Sequence, residues 1–181
     1  MILVFGKTGQ VARELQKFNG VLALDRTRAD LTDLSACAKA ISNYKPRAVI
    51  NAAAYTAVDM AEGEQDLANL INGEAPGAMA IVCADLNIPL VNISTDYVFD
   101  GSGEKAWDTF DLTNPQNAYG RSKLKAETSL KNLEIDTGNP VYIYRLPGVF
   151  GKFCKPNFNS VVATFCYNIS RELPIVINNP S

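Results

Sequence analysis

Tyr119 and Lys123 stand four residues apart in Tyr119-Gly120-Arg121-Ser122-Lys123, inside a stretch of helical periodicity near 117–133. On a helix that spacing puts a phenol and an ammonium on one face. A free phenol loses its proton at a pH of roughly 10, and a nearby cation favours phenolate, so Tyr119 can act as a proton donor or acceptor. The same spacing also suits an ordinary surface pair, and neighbouring segments must decide between the two. Ser94-Thr95-Asp96-Tyr97 places hydroxyls at the end of an apolar run, 89–94. Successive strand residues alternate faces, so one of Ser94 and Thr95 is expected to meet a ligand. Asn51-Ala52-Ala53-Ala54-Tyr55-Thr56 closes another apolar run. Its alanines suit either a flat dinucleotide lying against backbone or close packing alone.

A second constellation follows the first apolar run. Gly6-Lys7-Thr8-Gly9-Gln10-Val11-Ala12 leads into a helical stripe at Val11, Leu15 and Phe18. Gly6 permits a sharp turn, Gly9 lets backbone N–H groups approach a pyrophosphate, and Ala12 sits where helix packs on strand. Asp25 stands 19 residues after Gly6, where a carboxylate can accept hydrogen bonds from an adenosine ribose. Arg26 beside it suits a 2′-phosphate, so NAD and NADP both stay open, with a slight lean to NADP. Lys7 and Thr8 lack the spacing of a nucleoside-triphosphate loop.

These groups need a scaffold, and the composition allows one complete domain. The chain has 181 residues, 47% hydrophobic and 20% charged, with 17 Lys plus Arg against 19 Asp plus Glu. A pI near 5.2 and no basic block give no electrostatic reason to expect nucleic acid or an anionic membrane surface. No apolar run approaches the roughly 20 residues of a membrane helix, and nothing resembles a secretory leader, so a cytoplasmic protein is expected. Cys37, Cys83, Cys154 and Cys166 are widely scattered and read as reduced, mostly buried thiols. The absence of histidine excludes His-dependent triads and His-based metal sites.

Apolar runs at 1–5, 21–25, 47–52, 89–94 and 141–145 alternate with helical stretches near 9–18, 33–43, 64–86, 117–133 and 157–172. Continuous apolar strands alternating with helices predict an α/β fold, a doubly wound, Rossmann-like parallel sheet with helices on both faces. Its core is placed in 1–150. Asp33 is positioned to cap the second helix, Pro46 closes the approach to the third strand, and Pro115 precedes the helix of Tyr119. Residues 100–116, polar and rich in Gly and Asp, read as a long surface loop. Leu173-Pro174-Ile175-Val176-Ile177 reads as the start of another strand.

GKTGQVARELQ, VINAAAYTAVDMAE, NISTDYVFDG and NAYGRSKLKAE occur in an order and at spacings that resemble the extended short-chain dehydrogenase/reductase superfamily, and more closely its dTDP-4-dehydrorhamnose reductase family. The resemblance spans residues 1–150. It implies reduction of the C4 ketone of dTDP-4-dehydro-L-rhamnose to dTDP-L-rhamnose by NADP(H) or NAD(H). Tyr119 would give its proton to the ketone oxygen, Lys123 would lower the tyrosine pKa and hold the nicotinamide ribose, and Thr95 would polarise the carbonyl. By the same resemblance the cofactor meets Gly6, Thr8, Gly9, Gln10 and Val11 at the phosphates, and Asp25 and Arg26 at the ribose. Asp30 and Leu31 would lie near adenine, with Ala52, Ala53 and Tyr55 along the nicotinamide side. Thr56, Val58, Asp59, Asp96 and Tyr97 are carried over to the sugar, and Asn72 to a strand bend beside the site.

The family likeness also leaves room for a homodimer with a divalent metal at the subunit contact, of which Glu14 would be a fragment; no catalytic metal is expected. Two departures stand out. Ala12 replaces the usual third glycine, and Leu146-Pro147-Gly148-Val149-Phe150-Gly151 replaces the hydroxyl- and aromatic-bearing segment usual after Arg145. On this reading 1–172 is an NAD(P)-binding domain and 173–181 begins a substrate domain otherwise missing. Two other functions share these residues: a sugar-nucleotide epimerase or dehydratase, and a non-catalytic dinucleotide-binding module.

Overall fold

The computed structural model describes residues 1–158 and 160–177. They fall into two compact units, Met1–Pro147 and a second from Gly148 on. The first unit holds strands β1 (Ile2–Phe5), β2 (Val21–Leu24), β3 (Ala48–Asn51), β4 (Leu90–Thr95) and β5 (Val141–Leu146). All pair in parallel, in the order β2-β1-β3-β4-β5. The helices are α1 (Gln10–Leu15), α2 (Leu34–Tyr44), α3 (Gln65–Asn69), α4 (Ala75–Asp85) and α5 (Ala118–Thr137), with α6 (Val161–Ile169) in the second unit.

Alternation along β1 explains the two layers. Leu3 and Phe5 point into the larger core with Leu24, Val49 and Leu90, covered by Cys37 and Ile41 of α2, Met79 and Cys83 of α4, and Leu130 of α5. Val4 points the other way, with Ala23, onto Ala12 and Leu15 of α1. Both faces of the sheet are therefore covered, as continuous apolar strands require.

Local signals set the helix ends. Asp33 caps α2 by accepting from the Ala36 N–H, and Lys45 ends it in the left-handed conformation. Asn117 caps α5 by accepting from the Gly120 N–H at 2.7 Å, and Gly138 closes it at φ 71°. The stretch expected as one helix over 64–86 is instead α3, a π-helical turn at Leu70–Glu74, and α4. Pro76 in the first turn of α4 lacks the N–H that a continuous α-helical ladder would use.

Residues 100–116 form an exposed loop without helix or strand, as expected. The strand expected from Leu173 is absent: 173–177 is irregular and pairs with no other strand among the described residues, while 178–181 lie outside them. Cys37 and Cys83 are buried, but Cys154 is only half-buried and Cys166 is exposed, so the thiols are not mostly buried. No helix among the described residues is long and apolar enough to cross a membrane.

Candidate active site

The strand order reverses direction between β1 and β3, and a crevice opens there at the carboxyl ends of the strands. Gly6, the residue after β1, has φ 93°, and a Cβ on it would lie 2.9 Å from the main chain of Ala53. Only glycine satisfies both the positive φ and that approach. The Gly9 N–H closes the turn on the Gly6 carbonyl at 2.9 Å. A cleft of about 310 Å³ results, and it brings together Gly6, Thr8, Gly9, Asp25, Arg26, Asp30, Leu31, Ala52 and Ala53 from four separate parts of the sequence. Lys7, Ala54, Ile71 and Thr56 complete its lining, so Thr56 sits with the cofactor candidates rather than apart from them. Gln10 and Val11 begin α1 directly behind the turn.

Charges at the cleft are held in pairs. The Thr27 hydroxyl donates to Asp25 at 2.6 Å, and Lys7 lies 3.7 Å from the same carboxylate. The Thr27 bond leads in holding the Asp25 carboxyl below the usual range, against a smaller opposing effect of burial. Arg26 donates to Asp30 at 2.7 Å and is the main cause of the same downward direction there. Ionised carboxylates of this kind can accept ribose hydroxyls.

Two strands along, β4 ends in Ser94 and Thr95, which diverge as alternation demands. Ser94 donates to Glu127 at 2.6 Å, whereas Thr95 lies close enough to the Tyr119 phenol to lower its pKa. Asp96 accepts from the Thr95 hydroxyl at 3.1 Å, and the Tyr97 ring meets Tyr119 edge-on with centroids 5.8 Å apart. Asp96 and Tyr97 thus adjoin the phenol. Val58 and Asp59 lie farther along, on the segment entering the 3₁₀ turn Met60–Glu62.

Lys123 is 3% exposed and donates to the Ile93 carbonyl at 2.8 Å. Burial, only partly opposed by Glu127, brings its ammonium down to about 8. Burial also pushes the Tyr119 phenol up, more than the neighbouring Thr95 hydroxyl lowers it, with Asp96 and Tyr97 adding to the rise. The expectation that Lys123 lowers the phenol's pKa is therefore not met here: the ammonium is engaged by a strand carbonyl, and desolvation sets the direction.

Asn72 occupies the π-helical turn and is 1% exposed. It accepts from the Tyr55 N–H at 2.8 Å, donates to the Tyr55 carbonyl at 3.0 Å, and donates to the Ser122 hydroxyl at 3.0 Å. One side chain thus joins the bend after β3 to the helix of Tyr119. The Tyr55 phenol itself turns to Glu64, at 2.8 Å, and is absent from the cleft lining. Glu14 is ion-paired with Lys17, and among the described residues no group of three or more His, Cys, Asp and Glu is placed to hold a metal ion. A metal contact through Glu14 has no support.

Comparison with known proteins bears on this arrangement. The sequence model of the family described as RmlD substrate binding domain matches residues 1–177. The chain belongs to this family. This RmlD-family chain is 38% identical over 161 residues to a dTDP-4-dehydrorhamnose reductase of Streptomyces griseus, covering 86% of the chain and 52% of the relative. It is 41% identical over 153 residues to the same-named protein of Burkholderia thailandensis, covering 82% and 50%. A solved dTDP-4-dehydrorhamnose reductase from Bacillus anthracis, in complex with NADP, superposes with a TM-score of 0.84 at 31% identity, covering 94% of this chain and 59% of that one. The chain spans about half the length of the curated relatives it matches.

Three residues of the RmlD-family site have partners that the pattern of types did not reveal. Glu62 accepts from the Ala118 N–H at 2.6 Å and lies 3.4 Å from Arg121, so it caps the helix carrying Tyr119. Glu127, fully buried, takes a fork of hydrogen bonds from Arg145 at 2.7–3.1 Å. Neither Glu127 nor its strand partner is among the site residues singled out from the sequence. Arg145 also donates to the Thr109 carbonyl at 3.1 Å and lies over the Phe99 ring, which stacks on Trp107. That ties the loop over 100–116 to β5.

Proposed function

We propose that this chain carries the cofactor site and catalytic residues of an NAD(P)H-dependent sugar-nucleotide reductase, which converts the C4 ketone of dTDP-4-dehydro-L-rhamnose to the alcohol of dTDP-L-rhamnose. The observation that carries the reading is the convergence of Tyr119 with Thr95 and Tyr97 at the end of β4, with Lys123 buried one helical turn beyond. It stands at the same sheet edge as a glycine-lined cleft. The dTDP-4-dehydrorhamnose reductases of similar sequence, one of them solved with NADP, support the substrate and cofactor.

The cleft fits a dinucleotide because Gly6 and Gly9 leave the space that side chains would fill: Cβ atoms there would approach Ala53 at 2.9 Å and the Gly6 carbonyl at 3.3 Å. Gly6, Thr8, Gly9, Gln10 and Val11 would hold the pyrophosphate, Asp25 and Arg26 the ribose and any 2′-phosphate, and Asp30 and Leu31 the adenine. Ala52, Ala53 and Tyr55 would flank the nicotinamide. When bound, the reduced nicotinamide supplies the hydride. Tyr119 gives its proton to the ketone oxygen, and its raised pKa keeps the phenol protonated for that purpose at neutral pH. Thr95 donates to the same oxygen as charge develops on it. Lys123 holds the ribose and offers its positive charge to the phenolate left behind. Thr56, Val58, Asp59, Asp96 and Tyr97 are the proposed sugar contacts. Free cysteines fit the reducing cytoplasm, and a homodimer remains part of the proposal only by likeness to the family.

Titration of the chain with NADPH and NADH by fluorescence, with and without dTDP-rhamnose, tests the reading. Micromolar dinucleotide binding is expected, and Tyr119→Phe is expected to retain it while abolishing any ketone-dependent oxidation of NADPH. Failure to bind either dinucleotide would overturn the cofactor site. Turnover unchanged in Tyr119→Phe would overturn the proton donor.

A further inference from the structure

Glu127 is fully buried on α5, one helical turn beyond Lys123, and the reaction proposed above makes no use of it. Its surroundings are unusually complete. Arg145 of β5 donates to both carboxylate oxygens through Nε at 3.0 and 3.1 Å and to one through Nη2 at 2.7 Å. Ser94 of β4 donates to the other oxygen at 2.6 Å, and Lys131 of α5 lies 3.6 Å away. A carboxylate taken wholly out of water is costly unless it is paired and hydrogen-bonded. Here burial pushes the group up, yet Arg145 and Ser94 outweigh it and the carboxyl lies below its ordinary range.

Lys123 needs such an anion. Its ammonium is buried beside β4, and the Ile93 carbonyl that it meets at 2.8 Å is neutral. Of the other titratable and charged groups on the surrounding elements, Tyr119 and Lys131 share its helix, Arg145 lies on β5 and Asp96 in the turn after β4. Arg145 and Lys131 are both committed to Glu127, and Asp96 acts on Tyr119. We propose that Glu127 is a positioning residue for the reductase chemistry: its carboxylate, held ionised by Arg145 and Ser94, keeps the buried Lys123 ammonium charged and in place. The inference rests on the function proposed above. It also explains why Ser94, adjacent to Thr95, turns away from the ligand side: the hydroxyl fixes the carboxylate and, with it, the end of β4.

Glu127→Gln removes the charge and keeps the shape. Glu127→Gln combined with Arg145→Gln leaves no guanidinium unpaired and guards against simple unfolding, while Glu127→Asp keeps the charge. In the 181-residue chain labelled with ¹³C at lysine Cε, Lys123 is the resonance lost in Lys123→Met, and its titration is read with no ligand present. The midpoint is expected to fall by roughly one pH unit or more in both neutral variants and to stay near that of the parent in Glu127→Asp. The pH above which NADPH affinity declines should fall with it. An unmoved Lys123 midpoint in a folded neutral variant would overturn the proposal, as would equal losses of affinity in all three variants without a change in pH profile. If the Lys123 midpoint moves but the parent binds no dinucleotide, the hold of Glu127 on Lys123 stands and the proposed function fails.

Discussion

A Cβ on Gly120 would lie 2.2 Å from the main-chain oxygen of Tyr97, so the helix carrying Tyr119 sits directly on the turn that follows β4. Pro115 would crowd the same atom at 3.0 Å. That contact seats Tyr119, the residue before Gly120, beside the turn that opens at Thr95. Gly120→Ala therefore has to push α5 from its seat. A stability loss of about 1–3 kcal/mol is expected in thermal or urea unfolding, as for an overpacked core. Turnover should fall by more than dinucleotide affinity, since the cleft around Gly6 lies two strands away. Equal melting temperatures for Gly120→Ala and the parent would contradict the contact.

Gly9→Asp should remove dinucleotide binding. Its side chain would start 3.3 Å from the Gly6 carbonyl and bring a negative charge to the place assigned to the pyrophosphate. Calorimetric titration with NADPH checks this, and Gly9→Ala separates bulk from charge. An affinity unchanged in Gly9→Asp would remove the turn from the cofactor site.

Asn72→Ala should loosen the bend after β3. It strips the Tyr55 N–H and carbonyl of their side-chain partner and removes a donor to the Ser122 hydroxyl, which keeps its own bond to the Tyr119 carbonyl. Leaving such groups unsatisfied costs on the order of 1–3 kcal/mol, visible as a lower midpoint in urea. Amide hydrogen exchange at Tyr55 should quicken selectively. Uniform exchange over the whole chain would point to a global effect instead.

Lys123→Met should make the protein more stable at neutral pH while removing activity. The ammonium is brought from an ordinary 10.5 to about 8 in the folded chain, so protonated Lys123 opposes folding by on the order of 3 kcal/mol. The sign follows from proton counts: between pH 8 and 10.5 the unfolded chain binds more protons at this site, and stability from it rises with pH. Below pH 8 the penalty is fully present. The parent should gain stability across that window, and Lys123→Met should lack this part of the gain. Unfolding curves at pH 7 and pH 10 measure it, and a Met variant less stable than the parent at pH 7 would refute the desolvation account.

The chemistry-bearing pairs were readable in the order of residues because helix and strand periods are short. Four residues place Lys123 on the face of Tyr119, and glycines mark the turn at Gly6 because no other residue tolerates φ 93° against Ala53. Alternation along β1 foretold two covered faces, since Leu3 and Val4 cannot point the same way. What depended on tertiary structure were the contacts made across elements distant in sequence. The fork from Arg145 to Glu127, the tie from Asn72 to Tyr55 and the cap of Glu62 on Ala118 span 18, 17 and 56 residues, and no local period encodes them. The protonation of the site belongs with these: the spacing of Tyr119 and Lys123 suggests a lowered phenol pKa, but burial raises the phenol, and the ammonium is engaged by the Ile93 carbonyl of β4. Desolvation is a property of what surrounds a side chain, and only the folded chain supplies those surroundings.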